Sequence, residues 1–195
     1  DYDYDYGVAS GQKKTVTTSW STDTADIVGD IRSWQDQIED ETGVKPTRAI
    51  CDRKTWSYML KNKNIIKTIY ALSDGNTYLS DARLRTYLTD ELGLDVVVYS
   101  KKYKTEAGVV TPYVPADTFV LFPEGNLGNT WFGTTPEESD LMASNAVDNV
   151  SIVDTGVAVT TIRLADPVNV ETKVTQICLP DFPVADQIII ADVSA

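Results

Sequence analysis

TADIVGDIRSWQDQIEDETGVKP, residues 24–46, decides how the rest of the chain is read. Ile27, Ile31, Trp34 and Ile38 recur at spacings of four, three and four, drawing one apolar stripe along a helix predicted over Thr24–Thr42. Asp23 or Thr24 can cap its start, Asp26 and Asp30 suit the positive end of its dipole, and Gly43 followed by Pro46 stops it. Glu39, Asp40 and Glu41 then lie against the negative end, where each costs about 0.3–1 kcal/mol. That placement points to a basic partner for the helix end, with surface solubility as the competing reading.

Beyond Pro46 the pattern predicts a short strand over Arg48–Cys51, then a helix capped by Asp52 and carrying Trp56, Met59 and Leu60. A further helical piece is expected around Ile65–Leu72, followed by a turn at Ser73–Asn76. Ser80 caps an amphipathic helix with Leu84, Tyr87, Leu88 and Leu92 inward and Gly93 as its stop. Strand Leu94–Ser100, an extended piece over Val109–Val114 and a buried strand at Phe119–Phe122 come next. Residues 123–149 read as loop-rich, with Trp131 and Phe132 as large apolar anchors, and strands follow at Val157–Leu164, Val170–Cys178 and Gln187–Val193. Upstream of the helix, Tyr2, Tyr4 and Tyr6 alternate as in an extended strand or a frayed end, and Val8–Ser19 reads as a linker or an edge strand. The short turns require part of the sheet to be antiparallel, so the fold class is α+β.

The 195 residues carry 29 acidic and 17 basic side chains, a net charge of −12, and 42% are hydrophobic. That is enough apolar material for a core in one compact unit or two small intertwined ones, and it excludes disorder throughout the chain. The longest apolar runs, Val96–Tyr99 and Ile188–Ala191, fall far below the roughly 20 residues of a membrane helix. With no histidine in the chain, Ser-His-Asp and Cys-His nucleophile pairs and histidine zinc sites are excluded. Cys51 and Cys178 sit in apolar strand-like stretches and read as reduced core thiols in a cytosolic setting, with a disulfide as the alternative.

No motif carries chemistry. GVASGQKKT and EGNLGNT lack the spacing of a phosphate-cradling loop, and no calcium-loop or thiolate-metal spacing occurs, so no catalytic, cofactor or metal residue is assigned. The acids at Glu39–Glu41 and at Glu137, Glu138 and Asp140 lie in charge runs typical of solvated faces, although a facing pair would suit a carboxylate hydrolase. The acidic balance argues against a broad grip on nucleic acid. Lys101, Lys102 and Lys104 around Tyr103 form the main basic cluster, suited to an acidic neighbour or a phosphate backbone, or else a solvated loop. Trp20, Trp131 and Phe132 are candidate contact aromatics, with core packing as the alternative.

The order of several stretches resembles a known family. YDYG at Tyr4–Gly7, Trp20 with ADIVGDI at Ala25–Ile31, ETGVKPTRAICDRKTWSYML at Glu41–Leu60 and ADPVNVETKVTQICLPDFPVADQIIIADV at Ala165–Val193 are similar to the lambda-like, type E major capsid proteins of tailed bacteriophages and prophages. The resemblance implies a Hong Kong 97-like fold with a spine helix over residues 24–42 in a peripheral domain (1–46), an axial domain with a mixed sheet flanked by helices (47–154), return strands of the peripheral domain (155–182) and a final axial strand (183–195). Family members also carry an N-terminal arm and an extended loop before the entry segment. Neither is visible here and the chain starts at Asp1, so a trimmed core is expected.

The function implied is that of a structural, non-enzymatic subunit that self-assembles into the icosahedral head around phage DNA, located in the virion after assembly in the bacterial cytoplasm. Its partners would be further copies in hexamers and pentamers, scaffold or decoration proteins, and packaged DNA without sequence preference, with no cofactor and no membrane. The subunit-contact candidates are then Trp20, Glu39, Asp40, Glu41, Lys101, Lys102, Lys104, Trp131 and Phe132. A tail or baseplate component is the neighbouring alternative.

Overall fold

The computed structural model describes residues 6–70, 78–143, 150–166 and 168–194. Tyr2, Tyr4 and the expected turn at Ser73–Asn76 lie outside the described residues. In chain order, strand β1 (Lys13–Thr15) precedes helix α1 (Ile27–Thr42), strand β2 (Arg48–Cys51) and helices α2 (Arg53–Lys61), α3 (Lys63–Ile69) and α4 (Asp81–Leu92). Strands β3 (Asp95–Val98), β4 (Lys102–Lys104), β5 (Val110–Pro112), β6 (Thr118–Phe122) and β7 (Asn129–Phe132) lead to helix α5 (Pro136–Ala143). The chain ends with β8 (Val150–Asp154), β9 (Val157–Ala165), β10 (Val168–Gln176), β11 (Cys178–Asp181) and β12 (Ile189–Asp192). No helix among the described residues is long and apolar enough to cross a membrane.

The chain divides into two compact units, residues 1–127 with 184–195, and residues 128–183. The first is built on a five-stranded mixed sheet in the order β1-β12-β6-β2-β3. β2 runs parallel to β3 and β1 parallel to β12, whereas β6 is antiparallel to both β12 and β2. Alternation along β6 and β12 buries Phe119, Leu121, Ile189 and Ala191. The stripe of α1 (Ile27, Ile31, Trp34 and Ile38) joins these side chains in one core with Trp56 and Met59 of α2 and with Leu84 and Leu88 of α4.

Two buried amides fasten the helices. Gln35 Nε2 donates to the carbonyl oxygens of Pro46 (2.7 Å) and Leu92 (3.2 Å), tying α1 to its own exit and to the end of α4. Asn62 caps α3 by accepting from Ile65 N (3.0 Å) and donates to Ala25 O (2.8 Å) just before α1. Of the three carbonyls, Leu92 O is one that a helix end leaves unpaired, and Pro46 O and Ala25 O belong to the segments that leave and enter α1.

The second unit holds the antiparallel sheet β10-β9-β8 and the antiparallel ribbon β11-β7. Gly156 turns β8 into β9 at φ 80, and a Cβ there would meet Gly133 O at 2.8 Å, so both the backbone angle and the space require glycine. Helix α5 is fastened to β10 through Glu137, which accepts from Lys173 Nζ (2.8 Å) and Thr175 Oγ1 (2.9 Å).

Two expectations need correction. Helix α1 starts at Ile27 rather than Thr24, because Asp26 is the cap, accepting from Gly29 N at 3.1 Å, while Thr22–Ala25 closes a separate turn. The stretch 123–149 is not simply loop: Trp131 and Phe132 lie in β7, and α5 follows.

Phe119→Ala should cost about 3–5 kcal/mol, a large cavity beneath two tryptophans, and Asn62→Ala about 2 kcal/mol, the loss of one cap and of the buried bond to Ala25 O. Urea unfolding followed by tryptophan fluorescence measures both.

Candidate subunit-contact surfaces

Each candidate contact residue has a definite place. Trp20 is 1% exposed; its ring stacks on Trp34 at 5.8 Å and tilts against Phe119 at 5.2 Å, and its Nε1 donates to Asp30 Oδ2 at 2.9 Å. Trp20 is thus packed within its own subunit, the core-packing alternative of the two readings. Burial raises the Asp30 carboxyl above its usual range, partly opposed by the Trp20 hydrogen bond.

Glu39, Asp40 and Glu41 are exposed on the last turn of α1, whose closing residues include no basic side chain. Glu41 accepts from Gln37 Nε2 at 2.7 Å. Lys101, Lys102 and Lys104 are also exposed, on and beside the antiparallel hairpin β4–β5. Lys101 Nζ lies 6.0 Å from the Tyr99 ring centre, and Tyr113 packs against Tyr99 at 6.3 Å and Tyr103 at 5.0 Å. Val109, Val110 and Tyr113 of the same hairpin are exposed.

The edges of the five-stranded sheet are blunted by charge. Arg85 lies over the Trp56 ring at 4.8 Å and donates to Val96 O on edge strand β3, and edge strand β1 carries Lys13 and Lys14. Positive charge on an edge discourages strand addition, which leaves loops, helix ends and the other unit for contacts.

In the unit of residues 128–183, Trp131 is 61% and Phe132 49% exposed. Trp131 faces Leu179 across the ribbon, also exposed, and its Nε1 reaches Asp181 Oδ2 at 3.4 Å. A second apolar row was missed from sequence: Val168, Val170 and Val174 share one face of β10, with Val168 92% exposed. Glu137 binds the residues of the opposite face, Lys173 and Thr175, so α5 does not cover the valines. The signal was the period-two spacing of valines in VNVETKV, but such alternation is ordinarily read as a buried face.

Two of the acids singled out as hydrolase candidates, Glu137 and Glu138, have structural partners. Glu138 Oε2 accepts from Gly156 N at 3.4 Å, and Glu137 holds α5 to β10. Lys173 first, then the backbone at Glu137 and the Thr175 hydroxyl, hold the Glu137 carboxyl down to about 2 from its ordinary 4.5. The cysteines differ as well: Cys51 is buried and its thiol is pushed up to about 12, chiefly by burial, whereas Cys178 is exposed. Both are free thiols, so the disulfide alternative is set aside, and Cys178 is corrected from a core to a surface thiol.

The unit of residues 128–183 thus leaves contiguous apolar strand surface open to solvent. The chain belongs to the phage major capsid protein E family, whose model matches residues 1–193, and the class is that of structural capsid proteins. In fold it is similar to a candidate capsid protein of an Escherichia coli CFT073 prophage (TM-score 0.64, 17% identity), covering 95% of this chain and 54% of that one. It is also similar to a phage-related protein from Bordetella bronchiseptica RB50 (TM-score 0.58, 13% identity), covering 95% of this chain and 57% of that one. The chain thus spans a little over half the length of these solved proteins. No curated protein matches it.

Two outcomes are expected for the isolated subunit. A thiol reagent should modify Cys178 within minutes and Cys51 only after denaturation, which mass spectrometry of the labelled peptides reads directly. Because the folded Glu137 carboxyl lies below its unfolded value, its contribution is complete above about pH 4.5 and lost as pH falls through about 2. Thermal melts across that window should show Glu137→Gln flattening the acid-side loss of stability seen in the wild type.

Proposed function

We propose that this chain is the shell-forming core of a phage head subunit with a Hong Kong 97-like fold, which assembles with further copies of itself into an icosahedral container for DNA. The family match across residues 1–193 carries the reading. In this reading the unit built on the five-stranded sheet is the axial domain and residues 128–183 the strand-rich peripheral domain, with α1 as the candidate spine helix, a reading supported by the division into two compact units. Contacts between copies would use the exposed acids Glu39, Asp40 and Glu41, the lysines Lys101, Lys102 and Lys104, and the aromatics Trp131 and Phe132. Binding energy, not chemical turnover, is then the product of the fold, and an exposed Trp131–Leu179 pair is the kind of aromatic-aliphatic anchor on which protein interfaces concentrate that energy.

The net charge of −12 suits a wall facing a packaged polyanion, since like charge limits tight adhesion to it. Scaffold or decoration proteins, and maturation in the virion after assembly in the host cytoplasm, belong to the same reading. Electron microscopy of the whole purified protein should show closed shells or flat capsomer rings. Long tubes or baseplate-like discs would assign it to the tail instead. Trp131→Ala should raise the concentration needed for half-assembly by about tenfold or more, the loss of one interface anchor, as measured by light scattering.

A further inference from the structure

Resting on the shell reading above, we propose that the β4–β5 hairpin of one copy docks on the C-terminal half of α1 of a second copy, with Lys102 and Lys104 meeting Asp36 and Asp40. Lys102 and Lys104 are two residues apart on one strand, so their side chains leave the same face about 6.8 Å apart. Asp36 and Asp40 are four residues apart on one helix face, separated by about 6 Å along the axis. The two spacings agree to about 1 Å, which lets both pairs form at once.

Neither set of charges forms an ion pair among the described residues. Among the described residues the ion pairs are Arg32–Glu91, Arg53–Asp81, Lys54–Asp117, Lys63–Asp23 and Lys173–Glu137, and none includes Asp36, Asp40, Lys102 or Lys104. All four side chains are on exposed residues, and both patches belong to the same compact unit without bridging to one another, so pairing is left to another copy. The other lysine of the cluster, Lys101, is engaged with the Tyr99 ring, and Glu41 is engaged by Gln37, which leaves Asp36, Glu39 and Asp40 as the open acids of this helix half, the two aspartates having the matching spacing. Val110, exposed across from Lys104, adds apolar surface beside the charges.

Carboxylates near the negative end of a helix dipole are unfavourable in an isolated subunit and become favourable when lysines arrive. The two complementary patches are different parts of the same chain, so a head-to-tail arrangement repeats the contact from copy to copy, as a ring requires, whereas a two-fold pair would form it twice.

The test uses the whole protein with Lys102→Glu/Lys104→Glu, with Asp36→Lys/Asp40→Lys, with all four changes, and an equal mixture of the two double variants. Sedimentation velocity should show each double variant alone needing at least about tenfold more protein to associate, with the fourfold variant and the mixture restored to within about threefold of wild type. Circular dichroism melts should be unchanged. If a variant melts early, the neutral versions Lys102→Gln/Lys104→Gln and Asp36→Asn/Asp40→Asn replace it, with a several-fold loss expected. Wild-type assembly with reversals that have no effect, or with no restoration in the fourfold variant and the mixture, overturns this contact and leaves the shell reading intact. A wild-type protein that never associates overturns both.

Discussion

Strand β12 has a hydrogen-bonded strand on each side, β1 and β6, and this constraint governs the larger unit. A strand that follows residues 128–183 in the chain fills the interior of its sheet, so the core around Phe119, Ile189 and Ala191 closes only after those residues have been traversed. Such non-local pairing imposes a loop-closure cost before any contact rewards it, and slow folding of the larger unit follows. The indole pair Trp20–Trp34 against Phe119 reinforces the closure, joining the segment before α1, the helix and the sheet at one point.

The charged and apolar surfaces divide along the same lines as the chain. The five-stranded unit presents charge, with lysines and an arginine blunting its sheet edges, acids on α1 and a lysine-tyrosine hairpin. The inserted unit presents apolar strand surface, the valine row of β10 and the Trp131–Leu179 pair. Charge confers register and discrimination, and apolar area confers most of the binding free energy, so a subunit carrying both kinds can be selective as well as adhesive.

Much of this was legible along the chain. The three-four spacing from Ile27 to Ile38 identifies α1, Asp52 and Gly93 mark real helix ends, and the tail strand falls close to where it is expected. Ser80 stands at the start of α4, yet its side chain makes no capping bond. Helix α5 was hidden because its Pro-Glu-Glu start reads as a solvated charge run, and its hold on β10 comes from Lys173 and Thr175, more than thirty residues away. Gln35 and Asn62 gave no signal either, since a lone amide looks the same in a sequence whether it faces water or two buried carbonyls.

What the sequence by itself determined is periodicity, capping and charge, because these depend on neighbours a few residues apart. It set helices α1 to α4, most strands, the acid-rich end of α1 and the lysine cluster at 101–104. Tertiary structure alone decided which apolar side chains stay in water: Trp20 is taken into the core, while Trp131, Phe132 and Val168 remain outside. It also decided that Cys51 is sealed and Cys178 open, and that α1 shares a core with the sheet. Burial is a property of what lies across the fold, and an alternating strand carries the same letters whether or not a partner element covers it.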